Sequence, residues 1–351
     1  MEYVIEFLIY ILIYFVALVF AVSPSMGGTF IFPIAWIACL SSLVVFMRIE
    51  GLENVVSGSD IDTYIMNMSL EGTIIPYHWR EFIWWVGSRY LYQATGNATT
   101  VFIIYDFCLI IATYLSIDLI RKTFFPDANS WTLRYLYFGI FLFFPFPLGM
   151  HNTYRQILAL AVFLYAFGNA KEKVGKGILV YLVAFFIHNS VILLAPVFLL
   201  VLNDFKCQKF AFISLVIMAL GLGVASTIPD FWIIKSTGVE IGQSIAYLYQ
   251  AVLLIIFAFL VVFESRSKYR SSGLFLKVMA TLVLTYFACF SILQSQALER
   301  VFFTVLVVIF PIFGAYFEIR FKPKPAIRLV YLHLAISPLF FLYTTAIPTP
   351  F

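Results

Sequence analysis

The stretch that organises this sequence reads His151-Asn152-Thr153-Tyr154-Arg155-Gln156, and an apolar segment follows it directly. Pro145 and Pro147 lie just before it. They predict that the preceding helix stops there, because proline lacks an N–H donor and clashes with the previous turn. Asn152 or Thr153 can then cap a new helix over about residues 154–167.

Arg155 falls in the first turn of this predicted helix. The helix dipole is positive at that end, so a guanidinium is disfavoured there unless an anion lies beside it. Free backbone N–H groups at a helix start also attract anions. Arg155 therefore marks a candidate anion site. The alternative is an arginine at the membrane interface whose charged head reaches lipid phosphates.

The composition indicates a membrane protein. Apolar residues make up 63% of the 351 positions, charged residues make up 11%, and mean hydropathy is +0.99. A soluble chain of this length needs more charge to cover its surface. Because unpaired backbone polar groups cannot face lipid, the successive apolar runs predict helices. We predict an all-α, polytopic membrane protein in which residues 1–351 form one integral membrane domain with about ten spans. The predicted spans are 3–22, 29–47, 101–120, 131–149, 154–169, 210–228, 245–263, 273–293, 300–317 and 327–344.

Residue types that usually bind metals are sparse. The four cysteines have no CxxC spacing and the four histidines have no HxxxH pairing. The net charge of +4 is small and no basic tract suggests nucleic acid. The sequence therefore predicts no metal, no cofactor and no nucleic-acid partner.

The loops that are rich in Lys and Arg predict the topology, because such loops favour the cytoplasmic side. All of them can be cytoplasmic only if residues 177–202 enter and leave the membrane on one side. Under this arrangement both termini lie on the outer side. The basic residues are Arg121, Lys122, Arg134, Lys171, Lys173, Lys176, Lys206, Lys209, Arg266, Lys268, Arg270, Arg320, Lys322, Lys324 and Arg328.

Residues 177–202 are too few for two full crossings, which would need about 40 residues. We predict a re-entrant or broken helical hairpin with its tip at His188-Asn189-Ser190. Asn189 or Ser190 is predicted to cap its second half. The alternative is a single tilted span that breaks the charge rule.

The segment 48–100 is the longest one between spans and is predicted to lie on the outer side. It contains Asp60, Asp62 and Tyr64, then Arg80 and Glu81. The aromatic run Phe82–Tyr92 follows. This run is too short to span and is predicted to be an amphipathic helix in the membrane interface.

Ionisable residues gather on the predicted outer side, and such residues at a membrane domain usually face a cavity. A guanidinium suits pyrophosphate because it is planar, permanently charged and donates two parallel bonds. A carboxylate or a neutral imidazole can take a proton from an acceptor hydroxyl. The pattern predicts an extracytoplasmic transferase that acts on a lipid-linked phosphorylated substrate. Its residues are Asp60, Asp62, Arg80, Glu81, His151, Arg155, His188 and Arg300.

The order of these motifs resembles that of the EpsG/Wzy-type polysaccharide polymerases. The most specific part is Arg-Gln-x-x-Ala followed by Phe-x-His-x-Ser, and the likeness covers residues 30–320. The family usually has an arginine a few residues before Gly-x-Asp, whereas Arg48 lies further upstream. The matching motifs are Gly58-Ser59-Asp60 with Tyr64, Glu81 before the aromatic run, Tyr154–Ala159, Phe185–Ser190 and Glu299-Arg300.

The resemblance implies a GT-C-like membrane glycosyltransferase that joins undecaprenyl-pyrophosphate-linked oligosaccharides at the outer face of the bacterial cytoplasmic membrane. Flippase and chain-length regulator proteins are the implied protein partners. We expect His188, Asp60 and Arg155 to carry the chemistry. We expect the substrate to be bound by Arg155, Gln156, Arg300, Tyr64, Arg80, Glu81 and His151.

Two other functions fit the same residues. A membrane O-acyltransferase would use His188 or His151 as a base toward a sugar hydroxyl, and it would need an acyl-donor path from the cytoplasm. A lipid-linked oligosaccharide flippase would alternate access without catalysis, and the paired internal repeats that would favour it are not detected in the sequence.

Overall fold

The computed structural model describes most of the chain, and the regular elements of the described part are helical. This agrees with the predicted all-α class. The described residues are 2–50, 60–69, 79–126, 129–143, 145–151, 153–202, 205–226, 273–290, 296–320 and 325–345, with isolated positions in 251–262.

The helices are numbered here in chain order. They are α1 Glu2–Val22, α2 Ile31–Val45, α3 Asp60–Ser69, α4 Phe82–Thr95, α5 Ala98–Phe124, α6 Arg134–Leu142, α7 Pro145–His151, α8 Tyr154–Asn169, α9 Val174–Ile187, α10 Ala195–Val201, α11 Phe205–Ser226, α12 Gly273–Phe290, α13 Gln296–Arg320 and α14 Pro325–Thr345. Short 3-10 segments lie at Pro24–Gly28, Trp131–Leu133 and Asn189–Leu194, and a π-helical turn at Phe46–Glu50 follows α2.

In the described part of the chain, three helical stretches are long and apolar enough to cross a membrane. They are Ile31–Arg48, Ala98–Phe124 and Arg300–Glu318. The other apolar helices are shorter. The number of about ten spans therefore stays a prediction. Most of the predicted span 245–263 lies outside the described residues.

The predicted span 131–149 is divided into two helices. Helix α6 ends at Leu142 and the backbone of Phe143 is extended, so the break falls just before Pro145, as predicted. The prolines then open the short helix α7, since proline is tolerated in a first turn. Helix α8 begins at Tyr154, as predicted. Thr153 lies at its cap position without a side-chain capping hydrogen bond.

Helix α8 lies at the centre and packs between α5 and α9. Small residues allow the close approach: a Cβ added at Gly168 would lie 2.5 Å from the Leu119 side chain of α5. A Cβ added at Gly177 of α9 would lie 2.9 Å from the Cα of Ala170. Small residues at contacts are typical of helix packing in membranes. The arrangement brings the start of α8 and the end of α9 to the same end of the bundle.

The chain reverses direction after α9. The ring of Tyr181 stacks on that of Phe198 with centroids 4.6 Å apart, and its hydroxyl donates to the Val191 carbonyl at 3.3 Å. Residues 189–201 therefore fold back along α9, in the geometry of the predicted hairpin. The predicted cap is wrong: Nδ1 of His188, rather than Asn189 or Ser190, accepts the Ser190 N–H at 3.2 Å.

A buried ion pair connects helices α1, α13 and α14 at the end of the bundle opposite Arg155. Arg328 of α14 donates to both carboxylate oxygens of Glu318 in α13, at 2.5 and 3.0 Å. The same guanidinium donates to the carbonyl of Ala21 in α1 at 2.9 Å. The predicted basic residues Arg121, Lys122 and Lys171 also lie at this end of α5 and α8, which we call the basic end.

Candidate functional site

A buried ion pair between Arg48 and Asp106 lies at the Arg155 end. Arg48 follows α2 and donates to the two carboxylate oxygens of Asp106 in α5 at 2.7 and 3.1 Å. The hydroxyl of Tyr154 donates to the same carboxylate at 2.7 Å. The Arg48 guanidinium lies 5.1 Å from the Phe102 ring and 4.9 Å from the Tyr154 ring. These contacts connect α2, α5 and the first residue of α8.

Asp106 was missed in the sequence reasoning, although one signal could have found it. It is a carboxylate inside a predicted apolar span, and such a residue normally has a partner and a role. Arg48 is not among the predicted site residues, and its charge is paired with Asp106. Both side chains are buried, at 2% and 0% exposure. The pair lies too deep to meet a substrate in this conformation.

A second group, which we call the Glu81 cluster, consists of Glu81, Arg155, His188 and Asn189. One oxygen of Glu81 accepts a bond from the Arg155 guanidinium. The other accepts the Asn189 N–H at 3.2 Å, and Nδ1 of His188 lies 3.9 Å from it. The Glu81 carboxylate thus joins the start of α4, the start of α8 and the hairpin tip. The anion that the sequence predicted beside Arg155 is supplied here by the protein itself.

His188 lies between α9 and the 3-10 segment Asn189–Leu194. Its hydrogen bond to Ser190 indicates which ring nitrogen carries the proton. Its Nδ1 accepts the Ser190 N–H, so the proton of a neutral imidazole lies on Nε2. Because Nδ1 accepts this bond, the imidazole is neutral and presents Nε2–H as a donor.

Two aromatic rings hold the Arg155 guanidinium in place. It lies 4.6 Å from the Trp85 ring and 5.1 Å from the Tyr64 ring, at distances where cation–π attraction is effective. Burial raises the pKa of Tyr64 to about 12, against the opposing effect of Arg155. Tyr64 therefore stays protonated at neutral pH. It was predicted to bind substrate, but at 3% exposure it lies behind Arg155.

Gln156 connects α8 to α13. Its side-chain amide donates to Oγ1 of Thr304 at 2.7 Å and to the carbonyl of Arg300 at 3.0 Å. Arg300 lies 3.9 Å from a carboxylate oxygen of Asp60 at the start of α3. Arg300 and Asp60 are 44% and 38% exposed. This loose, accessible ion pair lies nearer the surface than the Glu81 cluster.

The remaining predicted site residues are less well defined. Arg80 is half-buried in the turn directly before Glu81, and Asp62 lies in the first turn of α3. His151 ends α7, and its side chain lies outside the described residues. The motif residues Gly58 and Ser59 also lie outside them. In the described part of the chain, no group of three or more His, Cys, Asp or Glu residues could hold a metal ion.

The Arg155 end therefore combines three arginine–carboxylate pairs of increasing exposure with one neutral imidazole. Guanidinium groups can bind phosphate oxygens, and carboxylates can accept protons from hydroxyls. The two outer pairs, Arg155–Glu81 and Arg300–Asp60, are the ones that a substrate can approach.

A family model described as the EpsG family matches residues 34–349, which is nearly the whole chain. Neither a curated protein nor a solved structure matches it.

Proposed function

Since the chain belongs to the EpsG family, we propose that it is a membrane glycosyltransferase that polymerises undecaprenyl-pyrophosphate-linked oligosaccharide repeat units into O-antigen or exopolysaccharide. Family membership indicates a polysaccharide polymerase, and the apolar helices indicate a membrane protein. The lipid-linked substrate and the outer face of the cytoplasmic membrane are parts of the proposal.

One observation carries the proposal: Arg155, Glu81 and His188 converge from three separate segments at one end of the bundle. Transfer from a lipid pyrophosphate needs a cation for the leaving group and a polar group for the acceptor hydroxyl. Arg155 and Arg300 would provide the cations. Planar guanidinium groups suit pyrophosphate because each can donate two parallel bonds.

In the proposed reaction the growing glycan on lipid pyrophosphate is the donor. A hydroxyl of the next lipid-linked repeat attacks the anomeric carbon, and the bond from that carbon to the phosphate oxygen breaks. The electron pair leaves with the lipid pyrophosphate, and the hydroxyl proton passes to a base of the protein. His188, Asp60 and Glu81 are titratable groups close enough to Arg155 or Arg300 to take part.

The charge distribution supports an outer location for this site. Arg121, Lys122 and Lys171 lie at the opposite end, and such basic loops favour the cytoplasm. The Arg155 end would then face outward, with the 48–100 segment over it. Helix α4 would lie in the membrane interface and help to bind sugar, and a flippase and a chain-length regulator are the proposed protein partners.

The proposal is tested with purified protein in liposomes. A lipid-pyrophosphate-linked repeat unit is added, and the products are separated by size. A ladder of glycans that differ by one repeat is expected. Lipid-linked repeats that stay monomeric, with protein that is folded by thermal melting, would contradict polymerisation. Movement of the intact lipid across the liposome membrane, without a ladder, would favour the flippase alternative.

A further inference from the structure

The two carboxylate oxygens of Glu81 accept hydrogen bonds from different donors. Oε1 accepts the backbone N–H of Asn189 at 3.2 Å, and this bond involves a neutral donor. Oε2 is bound to the Arg155 guanidinium, a charge-assisted contact. A ligand that takes Arg155 therefore releases one oxygen of Glu81 while the Asn189 N–H still holds the other.

A pyrophosphate is a direct competitor for this guanidinium. It offers several anionic oxygens in the geometry that Arg prefers. The Arg155 side chain is 14% exposed and Glu81 only 5%, so the guanidinium is the more accessible partner of the pair. The rings of Trp85 and Tyr64 hold the guanidinium in place during such an exchange.

We propose that Glu81 is the general base of the transfer reaction and that Arg155 keeps it inactive until substrate pyrophosphate takes the guanidinium. The assignment rests on the proposed function. Separation from a cation makes a carboxylate a better proton acceptor. Binding of the lipid-linked donor thus activates the base, and without donor the carboxylate remains tied to Arg155.

The step balances in atoms and charge. The acceptor hydroxyl gives its proton to the released oxygen of Glu81, and its oxygen forms the new bond to the anomeric carbon. The bond between that carbon and the phosphate oxygen breaks, and the pyrophosphate leaves on the lipid with the electron pair. Arg155 stabilises the charge that develops on this leaving group.

His188 fits this scheme as a donor. Its Nδ1 accepts the Ser190 N–H, so Nε2 already carries a proton and has no free lone pair. The Nε2–H can hold an oxygen of the substrate by a hydrogen bond. Glu81, whose carboxylate lies 3.9 Å from Nδ1, is then the proton acceptor of the cluster.

Glu81→Gln tests the assignment, because it keeps the shape and removes the charge. We expect turnover of the lipid-linked repeat to fall by about 100-fold or more. Binding of undecaprenyl pyrophosphate, measured directly on the purified protein, should tighten by about tenfold since the internal competitor is neutral. A merely structural glutamate would lower binding and turnover together.

Glu318→Gln is the matched control. It removes a carboxylate from the buried ion pair with Arg328 at the basic end, far from the Glu81 cluster. We expect it to lower the melting temperature but to leave turnover per folded molecule and undecaprenyl pyrophosphate binding unchanged.

Two results would overturn the assignment: turnover by Glu81→Gln within a few-fold of wild type, or weaker undecaprenyl pyrophosphate binding. If Glu81→Gln is not folded by thermal melting, Glu81→Asp replaces it, and the shortened carboxylate should again bind undecaprenyl pyrophosphate more tightly. Failure of the wild type to form any glycan ladder would contradict the proposed function instead. The binding measurement would still test the exchange at Arg155.

Discussion

The hydroxyl of Tyr154 donates a 2.7 Å hydrogen bond to the carboxylate of Asp106, 48 residues earlier in the chain. The same carboxylate holds Arg48, so the first residue of α8 is attached to a buried ion pair. The next residue, Arg155, points to a different partner, Glu81. The buried pair thus fixes the helix start from which Arg155 reaches the candidate site.

Loss of Asp106 should destabilise the protein strongly. Asp106→Asn leaves the buried Arg48 charge without its partner carboxylate, and breaking a buried pair on one side costs about 3–5 kcal/mol. Tyr154→Phe should cost about 1.5–3 kcal/mol, because it removes one hydrogen bond to a charged group. Thermal unfolding of the purified protein in detergent measures both. Replacing both charges together, as Arg48→Met with Asp106→Leu, should cost less than Asp106→Asn alone.

Arg155→Lys should lose most of its activity and Arg155→Ala nearly all. Lysine keeps the charge but lacks the planar fork that can hold a pyrophosphate by two bonds. Turnover is measured against the concentration of the lipid-linked repeat at equal amounts of folded protein. An arginine that only reaches lipid phosphates would tolerate lysine. Wild-type turnover by Arg155→Lys would therefore remove this residue from the site and leave Arg300.

Arg134→Lys is the control for that comparison. Arg134 also lies over two aromatic rings, 4.5 Å from Phe32 and 5.1 Å from Tyr137, but at the start of α6. Its replacement alters the same kind of cation–π contact without changing the Glu81 cluster. We expect near-normal turnover per folded molecule.

His188→Gln should retain more activity than His188→Ala. A glutamine amide can place an N–H near the position of Nε2, whereas alanine removes the donor, so His188→Ala should lose on the order of 100-fold in turnover. Ladder formation per folded protein is compared for the two variants. If both are equally inactive while the protein stays folded, the donor role fails. Equal, near-normal activity of both would show that His188 only packs the hairpin tip.

The hairpin placement predicts a labelling pattern. In a background without the native cysteines, Lys173→Cys and Lys206→Cys should both resist an impermeant thiol reagent added to intact cells, because the proposed hairpin places both on the cytoplasmic side. Asn97→Cys, at the cap of α5, should react. Labelling at Lys206→Cys but not at Lys173→Cys would favour the single tilted span.

Several features could be predicted because they depend on local pattern. Proline chemistry gave the break before Pro145 and the start of α8 at Tyr154. The aromatic run after Glu81 forms the predicted helix α4, and the chain reverses at the predicted tip around His188. The prediction that Asn189 or Ser190 caps the second half of the hairpin was wrong, because a histidine nitrogen can replace the usual Asn or Ser oxygen as acceptor.

The sequence by itself determined that this is an all-α membrane protein and which polar residues are candidates, because composition and helix signals are local properties of the chain. Only the tertiary structure decided how those residues pair. The anion beside Arg155 is Glu81, 74 residues away, and Arg48 meets Asp106, 58 residues away. Such pairs depend on which helices pack together and on how far each helix is shifted along its axis relative to its neighbour. In a low-dielectric interior each buried charge needs a partner, but the sequence does not specify which one.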